Sequence, residues 1–246
     1  MVDYYLVGTI YEGIIIIIFI PLVGLCLNNH IKVRNKLSLL LLLILLSYAA
    51  SIFFSWVSKV LNAFSGIGYI IDNNVPDPIT PQSWILLRIA DFRITYVFII
   101  VAIFFSYSFK GKIFEKEKKQ INKYITLGFT LFNLIFALFI FQKGNLLFDV
   151  LTFFFVFVFM SMVYFPFLSK AIKAYKSTDH PGFRKSFLSL SIMSLSYISV
   201  LLCLLIDRIY IFLGHFGFTI FYFLSWVLVI IGIVSTYYGY LKLDVK

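Results

Sequence analysis

Six charged residues sit where a long apolar chain can least accommodate them: Lys59, Arg88, Asp91, Arg93, Asp207 and Arg208 all interrupt or border uncharged runs. Charge inside a bilayer is costly, faces a bundle interior and tends to mark function. Trp84, Arg88, Asp91, Thr95, Ala102 and Ser106 recur at helical spacings of 3, 4 or 7 and form one stripe. Arg88 and Asp91 can pair on that stripe, while Arg93 lies about 140° round the helix from Arg88 and should meet another neighbour. Ser189, Ser196, Cys203 and Asp207 share a face within about 40°, with Arg208 beside it. Ser47, Ser51, Ser55, Ser58 and Asn62 make a third stripe, with Lys59 at its edge.

Together these stripes predict one polar cluster of Lys59, Asn62, Arg88, Asp91, Arg93, Asp207 and Arg208, joined by His215, Tyr222 and Trp226. Its four cations exceed its two carboxylates, and two readings follow. In the first, the cluster lines a cavity for an anionic or zwitterionic ligand, with Arg88 or Arg93 offering a planar fork to a carboxylate or phosphate. In the second, Glu12, Asp72, Asp77 or Asp149 from the rim neutralise the spare cations in a structural ion-pair network.

The elements that must hold this cluster are membrane helices. Of 246 residues, 61% are hydrophobic and 13% charged, a balance unsuited to a soluble domain with a polar surface. Uncharged runs and their breaks predict an all-α membrane protein, a seven-transmembrane helix bundle with spans at 8–28, 37–64, 84–109, 124–142, 147–170, 186–212 and 218–241. The last two are separated at Gly214-His215-Phe216-Gly217. Segments 28–36, 110–123, 170–185 and 242–246 hold 16 of the 21 Lys and Arg residues. The positive-inside rule therefore puts the N-terminus outside and the C-terminus in the cytoplasm of a cell membrane. The run 66–83 carries three prolines in its second half and is expected to be a non-helical outer loop able to cap a cavity. Pro21 and Pro166 should kink the first and fifth helices.

Several chemistries find no support in the residues. His30 and His180 fall on the inner side and His215 on the outer, so the three histidines cannot converge on zinc, and neither a metal nor a cofactor is expected. Asp91 and Asp207 lack the Gly-x-Gly-Asp or Tyr-Asp setting of an intramembrane aspartyl protease. No His-Glu-x-x-His, Gly-x-Ser-x-Gly, phosphate loop or Cys-x-x-Cys occurs, so the chain is not expected to be an enzyme. The net charge of +10 is placed to meet anionic lipid headgroups at the inner loops, not nucleic acid.

Trp84, Arg88, Asp91, Phe92 and Thr95 resemble the third helix of microbial rhodopsins, in which an Arg, an Asp counter-ion, an aromatic and a Thr occur at these spacings. The seventh span, 218–241, contains no lysine, so this resemblance implies no retinal Schiff base. In topology the chain is similar to seven-helix sensor modules of prokaryotic membrane receptors, and its Ile, Phe, Lys and Asn bias suggests an AT-rich prokaryotic genome. That similarity implies a receptor-like integral membrane protein whose signal passes through basic inner loops to a separate cytoplasmic or membrane partner. A ligand-binding or sensory protein with an outer-half polar pocket is the leading expectation. The alternatives are a small-solute or ion transporter and a structural subunit of a membrane complex.

Overall fold

The computed structural model describes residues 4–64, 80–114, 120–140 and 145–241. Most of the expected loop at 66–83, including Asp72 and Asp77, lies outside the described residues. Among the described residues eight α-helices run in order: α1 (Tyr4–Val33), α2 (Lys36–Phe64), α3 (Pro81–Ala90), α4 (Arg93–Phe114), α5 (Gln120–Leu138), α6 (Leu146–Ser177), α7 (Pro181–Phe212) and α8 (Ile220–Thr236), followed by a π turn at Tyr237–Leu241. Among the described residues no strand forms. Seven of these helices, all but α3, are long and apolar enough to span a membrane, and the chain is a multi-pass integral membrane helical protein.

Short connections make consecutive helices antiparallel neighbours. Only Arg34 and Asn35 separate α1 from α2. Arg34 takes a left-handed conformation (φ 48°), and the Asn35 side chain caps α2 by accepting from the Ser38 amide at 2.7 Å. His180 accepts from the Gly182 amide and Pro181 opens α7, the position where a missing N–H costs nothing. α2 packs on α1 and α4, α4 on α5 and α6, α6 on α7, and α7 on α8; α8 then returns against α1 and closes the ring. α6 and α7, each of 32 residues, are about 48 Å long, longer than a hydrocarbon core of about 30 Å. Pro21 and Pro166 both lie inside uninterrupted helices.

The third span differs from expectation in two ways. Pro81 opens a helix instead of prolonging a loop: Thr80 caps it, its hydroxyl accepting from the Ser83 amide at 3.1 Å while Ser83 Oγ accepts from the Thr80 amide at 3.1 Å. The helix expected to continue from Trp84 to Phe109 then stops at Ala90. Asp91 and Phe92 form a turn, Phe92 has φ +63°, and α4 starts afresh at Arg93. The stripe from Trp84 to Ser106 is therefore cut at Asp91 and Phe92.

Candidate functional site

The bundle encloses a cavity of about 80 Å³ between α1, α2, α4, α6, α7 and α8. Its middle is aromatic and aliphatic, with Phe19, Tyr48, Ile99, Phe153, Met160 and Tyr197 among its walls. Its polar end, toward the start of α1, carries a buried ion pair in which Glu12 neutralises a cluster cation, as the second sequence reading expected, though inside the bundle and not at its rim. Lys59 Nζ lies 2.6 Å from Glu12 Oε1, and the two side chains are 2% and 0% exposed. Ser55 Oγ accepts from Lys59 at 3.2 Å and donates to the Glu12 carboxylate at 3.0 Å, and the Tyr222 hydroxyl donates to Glu12 Oε1 at 2.8 Å. Three helices thus meet on one carboxylate, which fits the rule that buried charge must be paired and hydrogen-bonded.

Close approach of α1 makes this possible. A Cβ on Gly8 would stand 2.8 Å from the Phe218 ring, 3.0 Å from Lys59 Cδ and 3.2 Å from the Tyr222 hydroxyl. One turn on, Glu12 occupies the same face of α1 and reaches inward.

A second buried pair lies nearby. Arg208 Nη1 is 3.6 Å from Asp149 Oδ2, and the Tyr96 hydroxyl donates to Asp149 Oδ1 at 3.3 Å. The turn between α3 and α4 delivers the Phe92 ring between the two cations: Lys59 Nζ is 4.3 Å from its centroid and the Arg208 guanidinium 5.3 Å. Desolvated cation–π contacts of this kind are worth about 2 kcal/mol. Arg208 also lies 5.2 Å from the Phe153 ring and Lys59 5.4 Å from the Tyr222 ring.

Of the seven residues expected to form the cluster, Lys59 and Arg208 line the cavity. Arg93, fully buried, donates to Thr152 Oγ1 of α6 at 2.6 Å, so it binds two helices together. Asp207 accepts from both the amide and the hydroxyl of Thr219 at 2.8 and 2.7 Å and fastens the end of α7 to the start of α8. Arg88 stacks 3.6 Å over the Trp84 ring and donates to the Leu138 carbonyl at 2.8 Å, joining α3 to α5. Asn62 Nδ2 donates to the Ser58 carbonyl one turn back at 2.7 Å. Asp91, 1% exposed, sits in the turn that ends α3. Tyr222 and Trp226 line the cavity as members of the same group, while His215 is exposed and rests against the Tyr210 ring.

The cavity-facing side of α7 is the Tyr197, Leu201, Leu204, Arg208 row, not the row that ends in Asp207. Glu12 and Asp149 are two of the acids named as counter-ions in the second sequence reading, and both are buried instead of lying at the rim, because nothing in one helix reports its depth.

In the lining outside the two ion pairs, Thr95 Oγ1 has no hydrogen-bond partner, while the Trp226 indole lies toward the Tyr222 hydroxyl. Thr95 is 6% exposed, and a buried polar group left unsatisfied costs about 1–3 kcal/mol. Among the described residues no three His, Cys, Asp or Glu side chains converge as a metal site would require. Tyr48, in the cavity wall, shares a hydrogen bond of 3.1 Å with Tyr164, which reaches Ser106 at 2.8 Å. Tyr197, packed against both tyrosine rings, bonds Thr236 at 3.2 Å. Comparison with protein-family models, with curated proteins and with solved structures found no match to this chain.

Proposed function

We propose that this chain is a receptor-like, ligand-binding protein of the cell membrane whose central cavity takes a small, uncharged and largely apolar molecule bearing one hydrogen-bonding group. One observation carries the reading: an aromatic cavity in the bundle contains the unpartnered buried hydroxyl of Thr95, with the Trp226 indole also in its wall. Ligand sites have that composition, mostly apolar walls with a few placed polar groups. Lys59 and Arg208 each have a carboxylate of their own, Glu12 and Asp149. The charge excess that favoured an anionic ligand is thus cancelled in the cavity, and the reading moves to a neutral one. The basic distribution of the chain supports an external N-terminus and a cytoplasmic C-terminus, with the Glu12 end of the cavity in the outer half. In that orientation the basic segments around Lys32 and Lys173 meet anionic headgroups.

The test is thermal stability of purified protein against a panel of short-chain alcohols, ketones and amides, in wild type and in Val229→Phe, which fills the cavity from α8. A compound present at 100 times its Kd stabilises by about 2.7 kcal/mol. Stabilisation of wild type and not of folded Val229→Phe is the expected result. Equal shifts in both proteins, or none in wild type across the panel, would reject a cavity ligand.

A transporter is the second reading, and one feature favours it. Tyr197 lines both the central cavity and a smaller one of about 10 Å³, bounded by Ser106, Tyr164 and Thr236, on the far side of the tyrosine cluster. The same compound, preloaded into proteoliposomes, would leave them faster than from protein-free vesicles only under that reading.

A further inference from the structure

A groove of about 150 Å³ runs along the boundary of α1 and α2, lined by Ile16, Phe19, Ile20, Val23, Ala49 and Ile52. Every lining side chain is apolar, and α1 on either side of it turns a lipid-like surface outward, with Ile17 69% and Ile20 63% exposed. Phe19 and Ile52 line the groove and also the central cavity. They are 2% and 6% exposed, so two side chains separate the interior from the membrane-facing side of the bundle.

The local chemistry of α1 suits this partition to movement. Pro21 lies two residues beyond Phe19 inside the helix. It has no N–H for the Ile17 carbonyl, and the helix is released from one hydrogen bond just where Phe19 is carried. Ala49, opposite on α2, presents the smallest side chain of the lining, so nothing but Phe19 and Ile52 fills the path. At the far end of the cavity, by contrast, the walls are held by the Glu12, Lys59, Ser55 and Tyr222 network.

We propose that the cavity is loaded sideways from the bilayer, between α1 and α2, by a lipid-soluble molecule with a single hydroxyl or carbonyl group, and that Phe19 with Ile52 forms the gate. This rests on the binding reading above and adds to it the route and the solvent from which the ligand comes. The apolar body partitions into lipid and passes an all-apolar groove without desolvating a charge. Its polar group then meets Thr95 Oγ1, with the Trp226 indole in the same wall.

The experiment uses a diazirine-bearing butanol, of a size suited to a cavity of about 80 Å³, dissolved in the lipid of proteoliposomes holding the full chain. Photolysis at successive times, followed by peptide mass spectrometry, follows labelling of cavity segments from α4 and α8. Two gate variants act in opposite directions. Ala49→Trp plugs the groove and should slow cavity labelling about tenfold without changing its final level, whereas Phe19→Leu opens the gate and should speed it several-fold; a tenfold change in rate corresponds to about 1.4 kcal/mol in barrier. Cavity labelling at the wild-type rate in both variants overturns the lateral route and leaves the binding site standing. Absence of cavity labelling at every time in wild type overturns both the route and this ligand class.

Discussion

The Glu12–Lys59 pair invites a double-substitution cycle, because the structure specifies what each partner keeps when the other is removed. Lys59→Met leaves Glu12 with two donors, the Ser55 and Tyr222 hydroxyls. Glu12→Leu leaves Lys59 with one acceptor, Ser55 Oγ, and two ring faces, Phe92 and Tyr222. Breaking a buried pair from one side costs about 3–5 kcal/mol, since the remaining charge is stranded. The better-supported Glu12 places Lys59→Met near the lower figure and Glu12→Leu near the upper. The double variant strands nothing, and replacing both ions with apolar groups of similar volume is often neutral. It should therefore be at least as stable as the better single variant, which makes the interaction term about 5 kcal/mol or larger, above the usual range for neighbouring residues. Reversible unfolding in mixed micelles of increasing denaturing-detergent fraction, followed by circular dichroism, measures all four proteins. Losses that add to within about 0.5 kcal/mol would refute the argument, because the two side chains would then be stabilised independently.

Two glycines mark where the helices have no room to spare. Gly8→Ala sets a methyl 2.8 Å from the Phe218 ring, and Gly232→Ala sets one 2.7 Å from the Tyr197 ring, so each should lower stability by about 1–3 kcal/mol in the same titration. Gly24→Ala, which meets nothing within 4 Å, should hold or gain up to about 1 kcal/mol from helix propensity. The proposed orientation is checked by single cysteines placed at Asn35, in the turn between α1 and α2, and at His215, in a chain with Cys26 and Cys203 replaced by alanine. A membrane-impermeant maleimide on intact cells should label position 215 and spare 35; the reverse would turn the molecule over.

What could be read beforehand depended on whether the signal was local. The seven spans are local: each is an apolar run bounded by charge or by turn residues, and the Gly214 turn (φ +86°) falls where the excessive length of the last run required one. The third span failed as one continuous helix because Phe92 is not a residue type that announces a left-handed conformation. Its ring is held between Lys59 and Arg208, partners on α2 and α7 that no pattern along α4 discloses. For the same reason the charged cluster was recognisable as a set but not as a geometry. Lys59 and Arg208 do share the cavity, while Arg88, Arg93 and Asp207 each bind one helix to another. Those three use the same atoms a ligand would have used, and spacing along one helix cannot tell a tie to a neighbour from a ligand contact. The tyrosine cluster of Tyr48, Tyr164 and Tyr197 was invisible because tyrosines in membrane spans read first as interfacial.

The Phe92 ring between two separately neutralised cations has an electrical consequence. Glu12 with Lys59 and Asp149 with Arg208 sum to zero charge, and an aromatic face attracts cations without adding an anion to the count. A neutral molecule moving into such a cavity transports no charge through the bilayer field. A monovalent ligand would feel up to about 2.3 kcal/mol per 100 mV of membrane potential; a neutral ligand of the class we propose would feel none, and its occupancy would stay constant as a cell energises or depolarises its membrane.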